Sequence, residues 1–257
     1  MANKDSVGNT VKVALLLCIV CSVFVASAAV LLRPAQQANK DLDRKTNILA
    51  AAGLLEEGRG VEEQFEAVST RLVDFSSGKF TDVLDVNTYD QRKASKDPEL
   101  SDALSDEEDI AGILRRAKYG VVYLVENDQG IDKIILPIKG YGLWSTLHGF
   151  LALEADFNTV AGIGFYEHAE TPGLGGEVDN PLWKAKWIGK RVYGDENGVA
   201  LSVIKGKVDT SRPQAVYQID GLSGASLTSR GVNNLIHYWL GENGYATFLS
   251  NLKNGEA

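Results

Sequence analysis

The feature that most constrains this chain is an unbroken run of apolar and small residues from Val13 to Leu32. At about 1.5 Å per helical residue the run reaches about 30 Å, the thickness of the hydrocarbon core of a bilayer. A cleaved signal peptide is the competing interpretation, with Lys4 and Lys12 as its basic start and Ala26-Ser-Ala28 as its cleavage site. Because the apolar residues continue to Leu32, past the usual core of a signal peptide, we expect an uncleaved transmembrane helix over residues 13–32.

The charges beside this span leave its orientation open. Basic residues follow the span more densely than they precede it, at Arg33, Lys40, Arg44 and Lys45. A positive-inside count therefore places the large domain in the cytoplasm, but long translocated domains override such a count. Both orientations remain possible on the charges alone.

Composition excludes some functions. The 257 residues include 26 Lys and Arg against 34 Asp and Glu, a net charge of −8, so nucleic acid is not an expected partner. Cys18 and Cys21, the two cysteines of the chain, lie inside the apolar span. A single pair supplies too few ligands for a metal site, and we interpret both as small apolar residues.

The remainder of the chain divides by composition. We expect an N-terminal tail over 1–12, a helical stalk over 33–57 and a soluble domain over 58–257. Within that domain, residues 76–109 turn polar and acidic, which predicts a surface excursion. Apolar residues at helical spacing predict a short helix over residues 61–72.

Strand patterns cluster in the middle of the soluble domain and helical patterns lie at its ends. Strands are predicted over residues 119–125, 131–138, 150–154, 160–166, 199–208 and 216–219, and a long amphipathic helix over residues 227–240. Hairpin-type turns join the central strands. The predicted fold class is therefore α+β, with a mainly antiparallel sheet, flanking helices and one preceding transmembrane helix.

Three glycine-rich stretches carry the candidate chemistry: Gly140–Ser145, His168–Gly176 and Asp220–Arg230. The third lies where a strand leads into the long helix, so free N–H groups and the helix dipole favour an anion there. Ser223, Ser226 and Thr228 are each candidates to cap that helix or to carry a modification, and Arg230 to cover a phosphate. A simple capped helix start remains the competing interpretation.

The second stretch fits neither of the common nucleotide-binding loops. It lacks the GxGxxG of a dinucleotide site and the Lys-Ser/Thr ending of a P-loop. His168 and Glu170 would share one face of an extended segment, which suggests acid–base or metal chemistry. Since His148 and His237 are the remaining histidines and lie far away in the sequence, we expect no metal site.

Together, GYGLWS, HAETPGLGG and DGLSGASLTS after an N-terminal anchor resemble the C subunit of the sodium-translocating NADH:quinone reductases. The resemblance covers nearly the whole chain. The G subunit of the electron-transporting Rnf complex is similar in the second and third motifs. The first motif and the long segment before Tyr119 favour the quinone reductase.

The resemblance implies a covalent FMN, installed by a flavin transferase as a phosphoester on the last residue of a Ser-Gly-Ala-Thr motif. Asp220, Ser223, Gly224 and Ala225 match the recognition pattern, but Ser226 stands where the family has threonine. Register favours Ser226 as the acceptor and residue type favours Thr228, so both stay open. The flavin surroundings would include Trp144, Glu170, Thr171, Leu174 and Gly175. No catalytic acid or base is expected.

The resemblance also implies where the chain acts. It predicts a membrane-anchored electron carrier of a multi-subunit respiratory complex in a bacterial inner membrane, with its soluble domain in the periplasm. NADH oxidation, quinone reduction and sodium export would belong to partner subunits. Two alternatives stay open: an Rnf-type protein with covalent FMN, and a flavin-free anchored module that binds a ligand or supports an assembly.

Overall fold

A computed structural model describes residues 6–128, 130–195 and 198–257. Helix α1 runs from Val7 to Ala51 and passes through Pro34, so the predicted span and the predicted stalk as far as Ala51 form one helix. It is long and apolar enough to cross a membrane by length and composition. Pro34 removes one backbone donor, and helical residues on both sides carry the helix past it. Residues 1–5 of the predicted tail lie outside the described residues.

The chain forms two compact units, Met1–Asp43 and Arg44–Ala257. The second unit begins before the predicted boundary at residue 58, because the last turns of α1 belong to its core. Ile48 and Leu49 are fully buried there. Gly162 in the sheet is close to this helix end, since a Cβ added at Gly162 would lie 2.4 Å from the Ala51 carbonyl oxygen.

The second unit contains strands and helices throughout. Its strands are β1 Val68–Asp74, β2 Lys79–Thr81, β3 Ser101–Ala103, β4 Arg115–Ala117, β5 Tyr119–Asn127, β6 Gly130–Tyr141, β7 Thr146–Glu154, β8 Val160–Glu167, β9 Ser202–Val203 and β10 Gln218–Ile219. Its helices after α1 are α2 Val61–Phe65, α3 Gln91–Ala94, α4 Pro181–Lys184, α5 Ser226–Trp239 and α6 Ala246–Asn254. Short 3-10 turns span Gly175–Asp179, Ala185–Trp187 and Pro213–Tyr217.

Six of these strands form an antiparallel sheet in the order β2-β1-β5-β6-β7-β8. Its two faces are both covered, which explains why the central strands read as nearly continuous apolar runs. Ile134 and Leu136 belong to the core shared with α5 and α6, whereas Ile135 belongs to the core shared with the end of α1. The predicted α+β class with a mainly antiparallel sheet and an N-terminal apolar helix is confirmed.

Two local predictions were wrong. The helical pattern over residues 61–72 continues only to Phe65, and Val68–Asp74 forms β1 instead. This segment pairs with β5 along its whole length, so tertiary pairing overrides the local spacing. The predicted strand over residues 199–208 shrinks to β9, whose two residues pair in parallel with β10. The excursion over 76–109 includes β2, α3 and β3.

Helix α5 lies against β6 and fixes the position of the third motif. A Cβ added at Gly140 of β6 would lie 2.5 Å from Leu235 Cβ, so the glycine permits this close approach. Val232, Leu235 and Trp239 of the helix are buried on the sheet side. The N-terminal turn of α5 is thereby held beside the end of β6, next to the first motif.

Candidate functional site

The three glycine-rich stretches meet at the carboxylate of Glu170, whose residue is 5% exposed. Its Oε1 accepts hydrogen bonds from the backbone N–H groups of Leu143, Trp144 and Ser145, at 3.1, 3.0 and 3.3 Å. Its Oε2 accepts from the Thr228 hydroxyl at 2.6 Å. One side chain of the second motif therefore ties the first motif to the first turn of α5.

Two glycines leave the space that this carboxylate fills. A Cβ at Gly142 would lie 2.6 Å from Glu170 Oε1. A Cβ at Gly175 would lie 2.5 Å from Thr228 Oγ1 and 2.7 Å from Glu170 Oε2. Both positions are too tight for any side chain, so we assign these glycines to packing around Glu170.

Glu170 is held in its charged form. Burial by itself raises the pKa of Glu170, but the Thr228 hydroxyl and the three backbone N–H groups together lower it below the ordinary value. The carboxylate is thus an acceptor for structural hydrogen bonds. A contact from Glu170 to a flavin ring stays a prediction, since all four of these donors belong to the protein.

The start of α5 differs from a helix capped by a side chain. Ala225 occupies the N-cap position, and among the described residues no side chain caps the helix there, so none of the three candidate hydroxyls serves as the cap. The hydroxyls make tertiary contacts instead. Thr228 is fully buried on Glu170, and Ser229 Oγ accepts from the Leu222 N–H at 2.9 Å.

Ser226, by contrast, is exposed at the first residue of α5. It lines a groove of about 260 Å³ that Lys205 and Arg230 also line. Arg230 follows Ser226 by four residues, one turn of the helix, so both lie on the same side. The hydroxyl is therefore accessible, beside free helix N–H groups and two cationic side chains.

The surface beyond Ser226 carries exposed apolar side chains. Leu174 is 44% exposed and lies beside Gly224, where a Cβ would meet Leu174 Cδ2 at 2.9 Å. Gly224 also has φ +74°, which favours glycine in this loop. Trp144 is 66% exposed, and Thr171 is exposed as well. Gly175 is buried behind them.

Asp220 fixes the loop that precedes Ser226. Its carboxylate accepts from Lys186 Nζ at 2.6 Å and from the Val208 N–H at 2.7 Å, and its carbonyl accepts from Trp183 Nε1 at 2.8 Å. Burial raises the pKa of Asp220, yet the hydrogen bonds from Lys186 and Val208 lower it overall. Sequence reasoning missed Lys186 and Lys205, because their link to the motif is tertiary and no local pattern marks them.

Among the described residues, His168 has hydrogen-bond partners other than histidine. His168 Nε2 lies 2.7 Å from Asp179 Oδ2, and its Nδ1 accepts from the Glu170 N–H at 3.2 Å. His168 thus contacts the backbone of Glu170, while the Glu170 carboxylate points to other partners. Within residues 6–128, 130–195 and 198–257, no group of three or more His, Cys, Asp or Glu is arranged to hold a metal ion.

Known proteins resemble this chain in sequence over its soluble domain and over its whole length. A family model described as an FMN-binding domain matches residues 142–241. The C subunit of the Na(+)-translocating NADH-quinone reductase of Pseudomonas aeruginosa is 56% identical, with 100% of both chains covered. The corresponding protein of Yersinia pestis is 48% identical over 98% of this chain and 96% of its own.

Solved structures give the same result. The crystal structure of Shewanella oneidensis NqrC superposes with a TM-score of 0.76 at 34% identity, covering 84% of this chain and 99% of that one. The C subunit from Parabacteroides distasonis gives a TM-score of 0.66 at 26% identity, covering 85% of this chain and 97% of that one. The chain therefore belongs to the family formed by the C subunits of the Na(+)-translocating NADH-quinone reductases, as the three motifs predicted.

Proposed function

We propose that this chain carries an FMN joined through its phosphate to the Ser226 hydroxyl and relays electrons within a sodium-pumping NADH:quinone reductase. The observation that carries the assignment is the contrast between the two candidate hydroxyls. Ser226 is exposed in a groove, whereas Thr228 is fully buried and donates to Glu170. Accessibility therefore favours the serine, which also occupies the register position of the family's acceptor.

The residues around Ser226 fit a phosphodiester. The first turn of α5 supplies backbone N–H groups without partners in the helix, and this end of a helix favours negative charge by about 0.3–1 kcal/mol. Lys205 and Arg230 line the same groove and add two positive charges. The donor set is that of an anion site, which suits a phosphate and does not suit a cation.

Attachment would be a phosphoryl transfer made by a flavin transferase. A bond would form between Ser226 Oγ and the phosphorus of an activated flavin donor, the bond from phosphorus to the leaving group would break, and the hydroxyl would release its proton. Within this chain, the paired Asp220 and the carboxylate of Glu170 hold the loop and the helix start on either side of Ser226. Their contribution is to position the acceptor.

The ring system would rest on the exposed apolar side chains of the second and first motifs. Leu174 beside Gly224 and the exposed Trp144 supply apolar surface, and Thr171 adds an exposed hydroxyl. When bound, the flavin supplies the electron-transfer chemistry, and the chain sets its position and surroundings. A shallow, solvent-open surface of this kind retains a ligand weakly, which gives the covalent link a physical purpose.

The proposal extends to location and partners. Helix α1 is suited to anchor the chain in a bacterial inner membrane, and Cys18 and Cys21 are exposed along it. We place the soluble domain in the periplasm, against the charge count beside the span. Other members of the complex would exchange electrons with the flavin and carry out NADH oxidation, quinone reduction and sodium export.

Flavin fluorescence on denaturing gels tests the attachment. The full chain is expressed with a flavin transferase of this family, and the wild-type protein is compared with Ser226→Ala and Thr228→Val. Ser250→Ala is the matched control, since Ser250 is an exposed serine on α6, outside the three motifs. We expect fluorescence in the wild type, in Thr228→Val and in Ser250→Ala, and none in Ser226→Ala. A wild-type band without flavin would favour the flavin-free module.

A further inference from the structure

A cationic cavity, defined here by Arg92, Lys96, Arg115 and Lys139, lies beside the part of β6 that extends past Ile135. Within the described residues, the register of β5 with β6 ends at Ile135, and beyond it the backbone of β6 bonds to Tyr245, Trp239 and Ala111 instead. The cavity measures about 490 Å³. Four basic side chains around one cavity contrast with a chain whose net charge is −8.

Two of the four cations are fixed by the protein. The Arg92 guanidinium pairs with the Glu167 carboxylate through contacts of 2.7 and 2.8 Å. Arg115 donates to the Ser101 hydroxyl and carbonyl, at 2.9 and 2.7 Å. Their side chains therefore line the cavity in defined positions, which lowers the entropy lost when a ligand binds.

The other two cations, Lys96 and Lys139, form no ion pair with a carboxylate within the part of the chain that the structure describes. Lys139 Nζ donates to the Ser95 hydroxyl at 3.2 Å. Burial, the main cause, lowers the pKa of Lys139 to about 8. The positive charges of Arg92 and Lys96 also lower this pKa, and the negative charge of Asp109 raises it. A half-buried ammonium beside other cations would be stabilised by a bound anion.

We propose that this cavity binds a small, multiply charged oxyanion, whose phosphate or carboxylate groups contact Lys96, Lys139 and Arg115. The lining side chains are mainly donors, and ammonium and guanidinium groups recognise these oxyanions by charge-assisted hydrogen bonds. The volume lies within the range of about 300–1,000 Å³ typical of small-molecule sites, larger than one inorganic phosphate needs. This site is separate from the proposed flavin attachment and does not depend on it.

Amine labelling tests the proposal on the full chain in detergent. At pH 8 the Lys139 amine is partly neutral, so limiting acetic anhydride should modify it, and mass spectrometry measures the rate. Pyrophosphate and citrate are added in separate arms, each against sodium chloride of equal ionic strength. At least one anion should slow Lys139 labelling about fivefold or more, because it covers the amine and favours its charged form.

Two variants separate a built site from general charge attraction. Lys96→Gln should abolish most of the protection at Lys139. Lys93→Gln is the matched control, because Lys93 lies three residues before Lys96, is 87% exposed at its side chain and pairs with Asp90 outside the cavity. It should keep full protection.

Protection by pyrophosphate alone identifies phosphate as the ligand chemistry, and protection by citrate alone identifies carboxylates. Either result, or protection by both anions, supports the site when the protection is lost in Lys96→Gln and kept in Lys93→Gln. Labelling that follows ionic strength alone, or equal protection in wild type and Lys96→Gln, overturns the proposal.

Discussion

The buried carboxylate of Glu170 offers a sharp test of how the three loops are held. Glu170→Ala removes the acceptor of three backbone N–H groups and of the Thr228 hydroxyl. A hydrogen bond to a charged group contributes about 1.5–3 kcal/mol net, but four bonds to one carboxylate are not additive. The substitution leaves these donors without their acceptor, at about 1–3 kcal/mol for each one that stays buried, so we expect the free energy of unfolding to fall by about 3–5 kcal/mol in all.

Glu170→Gln should be milder, at about 1–2 kcal/mol, since the amide oxygen still accepts N–H bonds and the Thr228 hydroxyl can accept from the amide. The pKa of Glu170 is lowered in the folded chain, so its contribution to stability is complete above the unfolded pKa of about 4.3 and declines as pH falls through the folded pKa. The stability gap between wild type and Glu170→Gln should therefore narrow below about pH 4.

Urea unfolding of the full chain in detergent, followed by tryptophan fluorescence, measures these differences. Glu107→Ala is the matched control, because Glu107 is an exposed carboxylate of the acidic loop and should change stability by less than about 0.5 kcal/mol. If Glu170→Ala destabilised the chain no more than Glu107→Ala does, the carboxylate would not hold the loops together.

Three further predictions concern the same region. Gly175→Ala should destabilise the chain by about 2 kcal/mol or more, because its Cβ would lie 2.5 Å from Thr228 Oγ1. Gly164→Ala is the control and should be tolerated, since a Cβ there has open space. The midpoints of urea unfolding compare the two variants. Trp144→Ala should change the free energy of unfolding by less than about 0.5 kcal/mol, because the side chain is 66% exposed. It should alter the absorption spectrum of the attached flavin, because Trp144 belongs to the surface proposed for the ring system. Lys186→Met removes the ion pair with Asp220 but leaves the recognition pattern unchanged, and it should reduce flavin attachment severalfold on denaturing gels by loosening the loop. Attachment at the wild-type level would show that this contact is dispensable.

Much of the fold was predictable from local patterns. The central strands carry continuous apolar runs, and β6 and β7 pair from Lys133↔Glu154 to Tyr141↔Thr146, as the glycine-rich turn between them indicates. The helix predicted over residues 227–240 is α5, Ser226–Trp239. By contrast, β1 was misread because Val68 and Leu72 continue the helical spacing of α2, and only pairing with β5, far along the chain, makes them a strand.

The candidate site was predictable as a set of motifs but not as a geometry. Ser226, Leu174 and Trp144 were identified, and they are exposed as a ligand surface requires. The bond between Thr228 and Glu170 joins residues 58 positions apart, so no local pattern revealed it. That contact is what separates the two candidate acceptors, and the cationic cavity is likewise assembled from segments distant in sequence.

The most direct measurement is tandem mass spectrometry of the tryptic peptide that covers residues 208–230 of the wild-type chain. This peptide contains both candidate acceptors, and fragments that break between Ser226 and Thr228 distinguish them. We predict an adduct of FMN less one water on Ser226, with Thr228 unmodified. An adduct on Thr228, or an unmodified peptide from cells that contain the flavin transferase, would contradict the account.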